Sequence, residues 1–288
     1  MNPDYQPLFY WVREREEIRK RKVMGLDQVS WTVDPILSTW RFCNVRREDD
    51  RVTVWVRENI RERYADHPHL WFMLCIARQI NWPETLAALI DANAWPNRDT
   101  FEPRMMTAIL NQRKAKDEKV YTGAYMISAP STKGADKQAY IAEQVIGGLW
   151  SRRVIFEKHF AGQQTLQRTH ELIMRTNGWG QFMAYQAVVD MRFTRLLEQA
   201  GDLEGWAAAG PGTLRGLNRL HGRDKDAQLS QGQALAEMRA IYKVVSQETG
   251  VTMDFSDVPN ILCETDKYLR VKNGEGVPRA RYVAGRGY

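Results

Sequence analysis

The chain has 288 residues and 33.4 kDa, 43% of them apolar and 10% aromatic, which is enough to bury a sizeable core and excludes a disordered chain. Forty-one Lys and Arg against 35 Asp and Glu leave a net charge of +6, which permits an anionic partner without demanding one. No run of 18 apolar residues and no apolar leader occur, so an intracellular protein without a membrane span is expected. Cys43, Cys75 and Cys263 are too few and too scattered for a disulfide framework or a four-cysteine zinc or iron–sulfur site.

Along the chain, helical spacing of apolar residues predicts a mainly α fold. The segment 51–57 (RVTVWVR) alternates with period two, so it reads as a short strand or as the opening of a helix running to Tyr64. Residues 69–80 are apolar nearly all round and predict a buried helix. Pro83 opens the next one, which runs to Asn93 and stops before Trp95-Pro96. Helices are expected at 104–113, 137–150, 154–160 and 166–177, with a strand or loop at 120–130 and a linker at 131–136. That linker would divide a single 1–288 enzyme domain into lobes 1–130 and 137–288 around a cleft. Gly178-Trp-Gly180 breaks the pattern before a long helix at 181–200, and Ser230 caps another that ends at Gly250. The stretch 265–288 holds six basic and two acidic residues.

Four clusters carry candidate chemistry. Ala209-Gly-Pro-Gly212 between short apolar stretches has the form of a helix-hairpin-helix. In that reading Gly210, Gly212 and Thr213 approach a DNA phosphate, flanked by Arg215, Asn218 and Arg219; a plain packing turn fits the same residues equally well. The helix after Gly180 delivers Gln181, Tyr185 and Asp190 to a cleft beside Trp179, or else is ordinary core. Residues 41–50 crowd Arg41, Asn44, Arg47 and Asp50 together, which suits an anion or an amide-bearing group, or a solvated turn. Finally, Glu264 and Asp266 precede Lys267 and Arg270, as a carboxylate pair or as surface ion pairs. No GxxxxGK[ST] phosphate loop, GxGxxG after a strand or HExxH occurs.

Phe9-Tyr-Trp-Val-x-Glu-Arg15, Arg41-Phe-x-Asn-Val-x-Arg-x-x-Asp50, Gly178–Asp190, Ala209-Gly-Pro-Gly-x-x-Arg-Gly-Leu-Asn-Arg219 and Leu262-Cys-Glu-x-Asp-Lys-Tyr268 together resemble the phage α-glutamyl/putrescinyl thymine pyrophosphorylases, the amino acid:DNA transferases. That resemblance implies a DNA-glycosylase-like helical fold and hypermodification of thymine by base flipping in the cytoplasm of an infected host. The partners it implies are double-stranded DNA bearing a 5-hydroxymethyluracil already phosphorylated by a separate kinase, and a free amino acid such as glycine or a polyamine; no cofactor or metal is implied. The amine would displace the phosphate or pyrophosphate and form a C–N bond on the thymine methyl carbon. Asp266 is then the expected general base, with Asp50 next and Glu264 beside them, and Asp224 or Asp226 the nearer match to glycosylase spacing. Arg41, Asn44, Arg47, Trp179, Gln181, Tyr185 and Asp190 would hold base and leaving group, and Lys267 and Arg270 would contact DNA. A base-excising glycosylase and a non-enzymatic DNA-binding module are the alternative readings.

Overall fold

The computed structural model describes residues 2–123, 125 and 136–282. The chain packs as two compact units, 1–51 with 204–288, and 52–203. Much of the expected 120–136 loop and linker lies outside the described residues. All regular structure among the described residues is helical, apart from an antiparallel bridge between Trp40 and Arg281.

In the first unit the helices that open the chain are α1 (Gln6–Val23) and α2 (Pro35–Thr39). In the second come α3 (Arg51–Val56, which starts at the boundary), α4 (Leu70–Ile80), α5 (Pro83–Asp91), α6 (Pro103–Ala115), α7 (Lys137–Ala139), α8 (Gly147–Trp150), α9 (Arg153–Phe160), α10 (Leu166–Met174) and α11 (Gln181–Met191). The chain then returns to the first unit for α12 (Pro211–Leu220), α13 (Gln231–Thr249) and α14 (Val258–Lys272).

Local chemistry explains most of these boundaries. Residues 51–57 form no strand: α3 runs straight into a π-helical turn at Arg57–Arg61. Every residue of α4 is buried, and Asn81 ends it in the left-handed region at φ 48°. In a second π-helical stretch, Tyr140–Ile146, the Val145 carbonyl accepts from the Trp179 indole N–H at 3.1 Å. The helix expected at 181–200 stops at Met191, because the Thr194 hydroxyl takes the Met191 carbonyl at 2.7 Å in place of the next helical N–H. Ser230 and Gln233 form a capping box at the start of α13, and Gly250 closes it at φ 71°.

The first arm of the expected helix-hairpin-helix is not formed: residues 206–210 are irregular. Their backbone bonds go to side chains of α13 instead. Gln231 brackets Ala209, accepting from its N–H at 3.2 Å and donating to its carbonyl at 3.0 Å, while Arg239 Nε donates to the Gly205 carbonyl at 2.8 Å. The core of this unit is α14, on which α1, α2, α12 and α13 pack. In the second unit α11 lies against α4 and α10.

Candidate functional site

The first unit gathers two blocks that lie over 200 residues apart in sequence, the turn at 41–50 and helix α14. Arg15 begins the assembly. It sits on the buried stripe of α1 with Leu8, Trp11, Val12 and Ile18, and is 4% exposed. Its Nε donates to the Cys43 carbonyl at 2.9 Å and its Nη2 to Asn44 Oδ1 at 2.6 Å. The turn is then closed by Asn44, whose N–H meets Asp50 Oδ1 at 3.0 Å and whose amide donates to the Asp49 carbonyl at 2.8 Å. From the other side α14 reaches in. Glu264 Oε2 accepts from the Cys43 N–H at 3.0 Å, Asp257 Oδ1 from the Arg47 N–H at 2.9 Å, and Asn260 donates to the Asn44 carbonyl at 2.9 Å.

Lys267 completes the cluster, 2.6 Å from Glu264 and lying over the Phe42 ring at 4.6 Å. Burial works against its ammonium, but the Glu264 carboxylate more than offsets this and raises its pKa. Asp50 and Asp257 are each pushed up to about 6, foremost by burial. Cys43 and Cys263 are exposed by surface area, yet burial of the thiols among neighbours pushes both up, Cys263 to about 11. Asp50 stands near Cys43 and Glu264 in this cluster, at a pKa suited to taking up a proton near neutral pH.

Asp266, the first expectation for a base, has a different setting. Arg215 Nε donates to its Oδ2 at 2.9 Å and Arg219 Nε to its Oδ1 at 2.8 Å, and Arg219 also pairs with Glu275. Both carboxylate oxygens are engaged, and the side chain is 3% exposed. The alternative Asp224 and Asp226 sit in an exposed turn after α12.

The glycines of α12 have a packing reason. A Cβ on Gly212 would stand 2.4 Å from Cys263 Sγ, and one on Gly216 2.4 Å from the Leu262 carbonyl oxygen. Bare backbone at these two positions lets α12 and α14 approach closely. Thr213 donates to the Pro259 carbonyl at 3.0 Å within the same contact, and buried Asn218 donates to the Lys225 and Ala227 carbonyls at 3.3 and 2.9 Å. Gly210 is the N-cap residue, and Arg270 is half-buried on α14. Arg41 is exposed, its N–H bonded to the Ala280 carbonyl at 3.1 Å.

The remaining expected residues belong to the second unit and are accounted for within it. Asp190 is fully buried, receives both Nε and Nη2 of Arg78, and Arg78 also reaches Thr53 at 3.0 Å and Asn81 at 3.2 Å. Trp179 and Tyr185 are 3% and 5% exposed, and the Gln181 carbonyl accepts from His170 at 2.8 Å. Sequence reasoning missed Asp257 and Asn260, and quoted Arg15 in a block without giving it a role. Arg15 and Arg78 do carry a legible signal, since each is a cation placed on an otherwise apolar helical face.

Among the described residues no group of three or more His, Cys, Asp or Glu is placed to hold a metal ion, and no helix is long and apolar enough to cross a membrane.

A mainly helical chain whose described residues gather a polar cluster on α14 is the class of protein that these features define. The chain belongs to the family of the helical domain of 5-hmdU DNA kinase, whose profile matches residues 2–277. It is similar to a 5-hmdU DNA kinase of Bacillus phage SP10, 24% identical over an alignment of 286 positions that takes in 89% of this chain. The chain spans 43% of that relative's length. No solved structure matches.

These findings correct the expected membership. The family is named for a kinase and not for the thymine pyrophosphorylases that the sequence blocks resembled. The expected amino acid transfer and C–N bond formation on thymine fall with it, and so does an amino acid or polyamine as partner. A role downstream of a kinase is likewise overturned, and the glycosylase and DNA-binding-module readings fit the match no better. The blocks misled because they specify how this helical fold packs, at Gly212, Asn44 and Glu264, and packing does not specify which bond is made.

Proposed function

We propose that this chain is an enzyme component that acts on DNA carrying 5-hydroxymethyluracil, as a phage DNA-modifying kinase does, and presents the 5-hydroxymethyl oxygen to a phosphoryl donor. The observation that carries this reading is the family match over residues 2–277. The polar cluster of the first unit supplies chemistry that fits it. Phosphoryl transfer to an alcohol needs a proton acceptor at the nucleophilic oxygen and cations for the transferred group. Asp50 uses Oδ1 for the Asn44 N–H and takes the hydroxyl proton through Oδ2. The new O–P bond forms as the bond from phosphorus to the donor nucleoside triphosphate's bridging oxygen breaks. Lys267 supplies positive charge beside it, and Arg41 and Arg47 lie on the same turn. Asp266 fits a positioning role, fixing α12 to α14 through its two arginines.

The reading concerns the acceptor side of the reaction, and its test is one of substrate choice. Duplex oligonucleotides that contain 5-hydroxymethyluracil or thymine at one position are compared for binding and for label transfer from γ-labelled ATP. Binding at least tenfold tighter to the hydroxymethyl duplex, with phosphomethyl-deoxyuridine as the labelled nucleoside, is the expected result. Where transfer is seen, Asp50→Asn lowers its rate by about 10²–10⁴. Equal binding to both duplexes with no labelled nucleoside overturns the reading.

A further inference from the structure

A second feature of the first unit adjoins the Asp50 cluster and shares Arg15 and Phe42 with it. A recess of about 10 Å³ is walled by Trp31, Trp40, Phe42 and Tyr282, with Arg15 and Lys22 of α1 at its base. The antiparallel bridge builds it: Trp40 faces Arg281, the Arg41 N–H meets the Ala280 carbonyl at 3.1 Å, and the Tyr282 N–H meets the Thr39 carbonyl at 2.9 Å. Trp31 stands edge-on to Tyr282 with centroids 4.9 Å apart, and Lys22 Nζ is 4.4 Å from each ring. Arg281 lies over Trp40 at 5.2 Å. Trp31, Trp40 and Tyr282 are all half-exposed.

Two observations point to an anionic, ring-bearing ligand. Arg15 is 96% buried and spends Nε and Nη2 on the turn, but its buried Nη1 has no hydrogen-bond partner. A buried guanidinium with an unsatisfied N–H leaves uncompensated positive charge behind the recess, which favours an anion there. Moreover, cations crowd this place: burial, then Arg15 and Arg41, pull the Lys22 ammonium down to about 7. The recess is too small for a whole phosphate group and admits one oxygen atom of it, which leaves the attached nucleoside to lie against the half-exposed rings.

We propose that this surface binds one nucleotide of a DNA strand at a position other than the reacting base, with a phosphate oxygen beside Lys22, over the buried positive charge of Arg15, and the base stacked on the Trp31–Trp40–Tyr282 rings. It rests on the DNA reading above and adds where the strand is gripped. Aromatic rings interleaved with cations bind unpaired nucleotides without sequence preference, so plain oligothymidylate is a sufficient probe.

The test measures binding of fluorescein-labelled dT12 by anisotropy and quenching of tryptophan fluorescence by unlabelled dT12, with dTMP as competitor. In the full chain dT12 quenches and shields tryptophan from acrylamide, which needs no variant. Trp40→Leu and Tyr282→Leu, shown by circular dichroism to keep their helix content, each weaken dT12 binding about tenfold. Unchanged dT12 affinity in both variants overturns the proposal while the function above stands. Full displacement of dT12 by equimolar dTMP also overturns it, because the site then belongs to a free nucleotide and not to a strand. Failure of the full chain to bind any DNA removes both readings together.

Discussion

Gly216→Ala tests whether the glycines of α12 serve helix packing. The added Cβ would stand 2.4 Å from the Leu262 carbonyl oxygen and 3.0 Å from its carbon, where ordinary contact begins near 3.4 Å. The obstacle is backbone in the middle of α14, so it cannot rotate aside, and the two helices have to separate by roughly 1 Å. Overpacking of this kind costs about 1–3 kcal/mol, and rigid backbone places it at the upper end. Ala in place of Gly in a helix returns roughly 1 kcal/mol, which leaves a net loss of about 2 kcal/mol. Gly212→Ala meets the Cys263 sulfur instead, at 2.4 Å, and a side chain can move. Its loss is therefore smaller, about 1 kcal/mol, and Cys263→Ala in the same chain recovers most of it. Urea unfolding followed by circular dichroism gives the stabilities, and DNA binding is measured on the same proteins. If Gly216→Ala is as stable as the parent, the packing account is wrong. If Gly212→Ala loses DNA affinity with stability unchanged, that glycine contacts phosphate as the hairpin reading held.

The buried Arg78–Asp190 pair gives a second expectation: Arg78→Met strands a buried carboxylate and lowers stability by about 3–5 kcal/mol, while Arg78→Met with Asp190→Leu recovers most of the loss in urea midpoints. A loss below about 1 kcal/mol in the single variant refutes the pair's structural role. Protonation of Asp50 gives a third. Its pKa rises from the ordinary 3.8 to about 6 on folding, so between these values the folded chain holds more protons than the unfolded one, and its contribution falls as pH rises through that window. The fall amounts to at most about 3 kcal/mol and is complete above pH 6. Asp50→Asn keeps an acceptor for the Asn44 N–H and removes the titration. The variant should therefore gain on the parent as pH rises from 4 to 6 in urea titrations, and a constant difference across that range contradicts the assignment. Asp34 and Glu16, whose folded pKa values are lowered, act in the opposite sense, losing stability as pH falls, and are common to both proteins.

Periodicity and caps in the sequence determine the helices themselves, because both are local. The stripe Leu8–Trp11–Val12–Ile18, the all-apolar α4, the Ser230 cap and the Gly250 stop are read directly from residue order. Where a distant side chain competes for a backbone group, local reading fails. Gln231 and Arg239 of α13 hold residues 205–209 out of a helix, and Thr194 cuts α11 short. The same holds for the site. Residue density at 41–50 and the run at 262–268 mark both halves of the polar cluster, but neither shows that Glu264 would meet the Cys43 N–H or that Asp257 would meet that of Arg47. Only the tertiary structure decides which acid is spent and which is poised. Two arginines occupy both oxygens of Asp266, whereas burial with a single backbone donor leaves Asp50 at about 6. A carboxylate's task depends on its surroundings, and the chain assembles those from segments more than 200 residues apart.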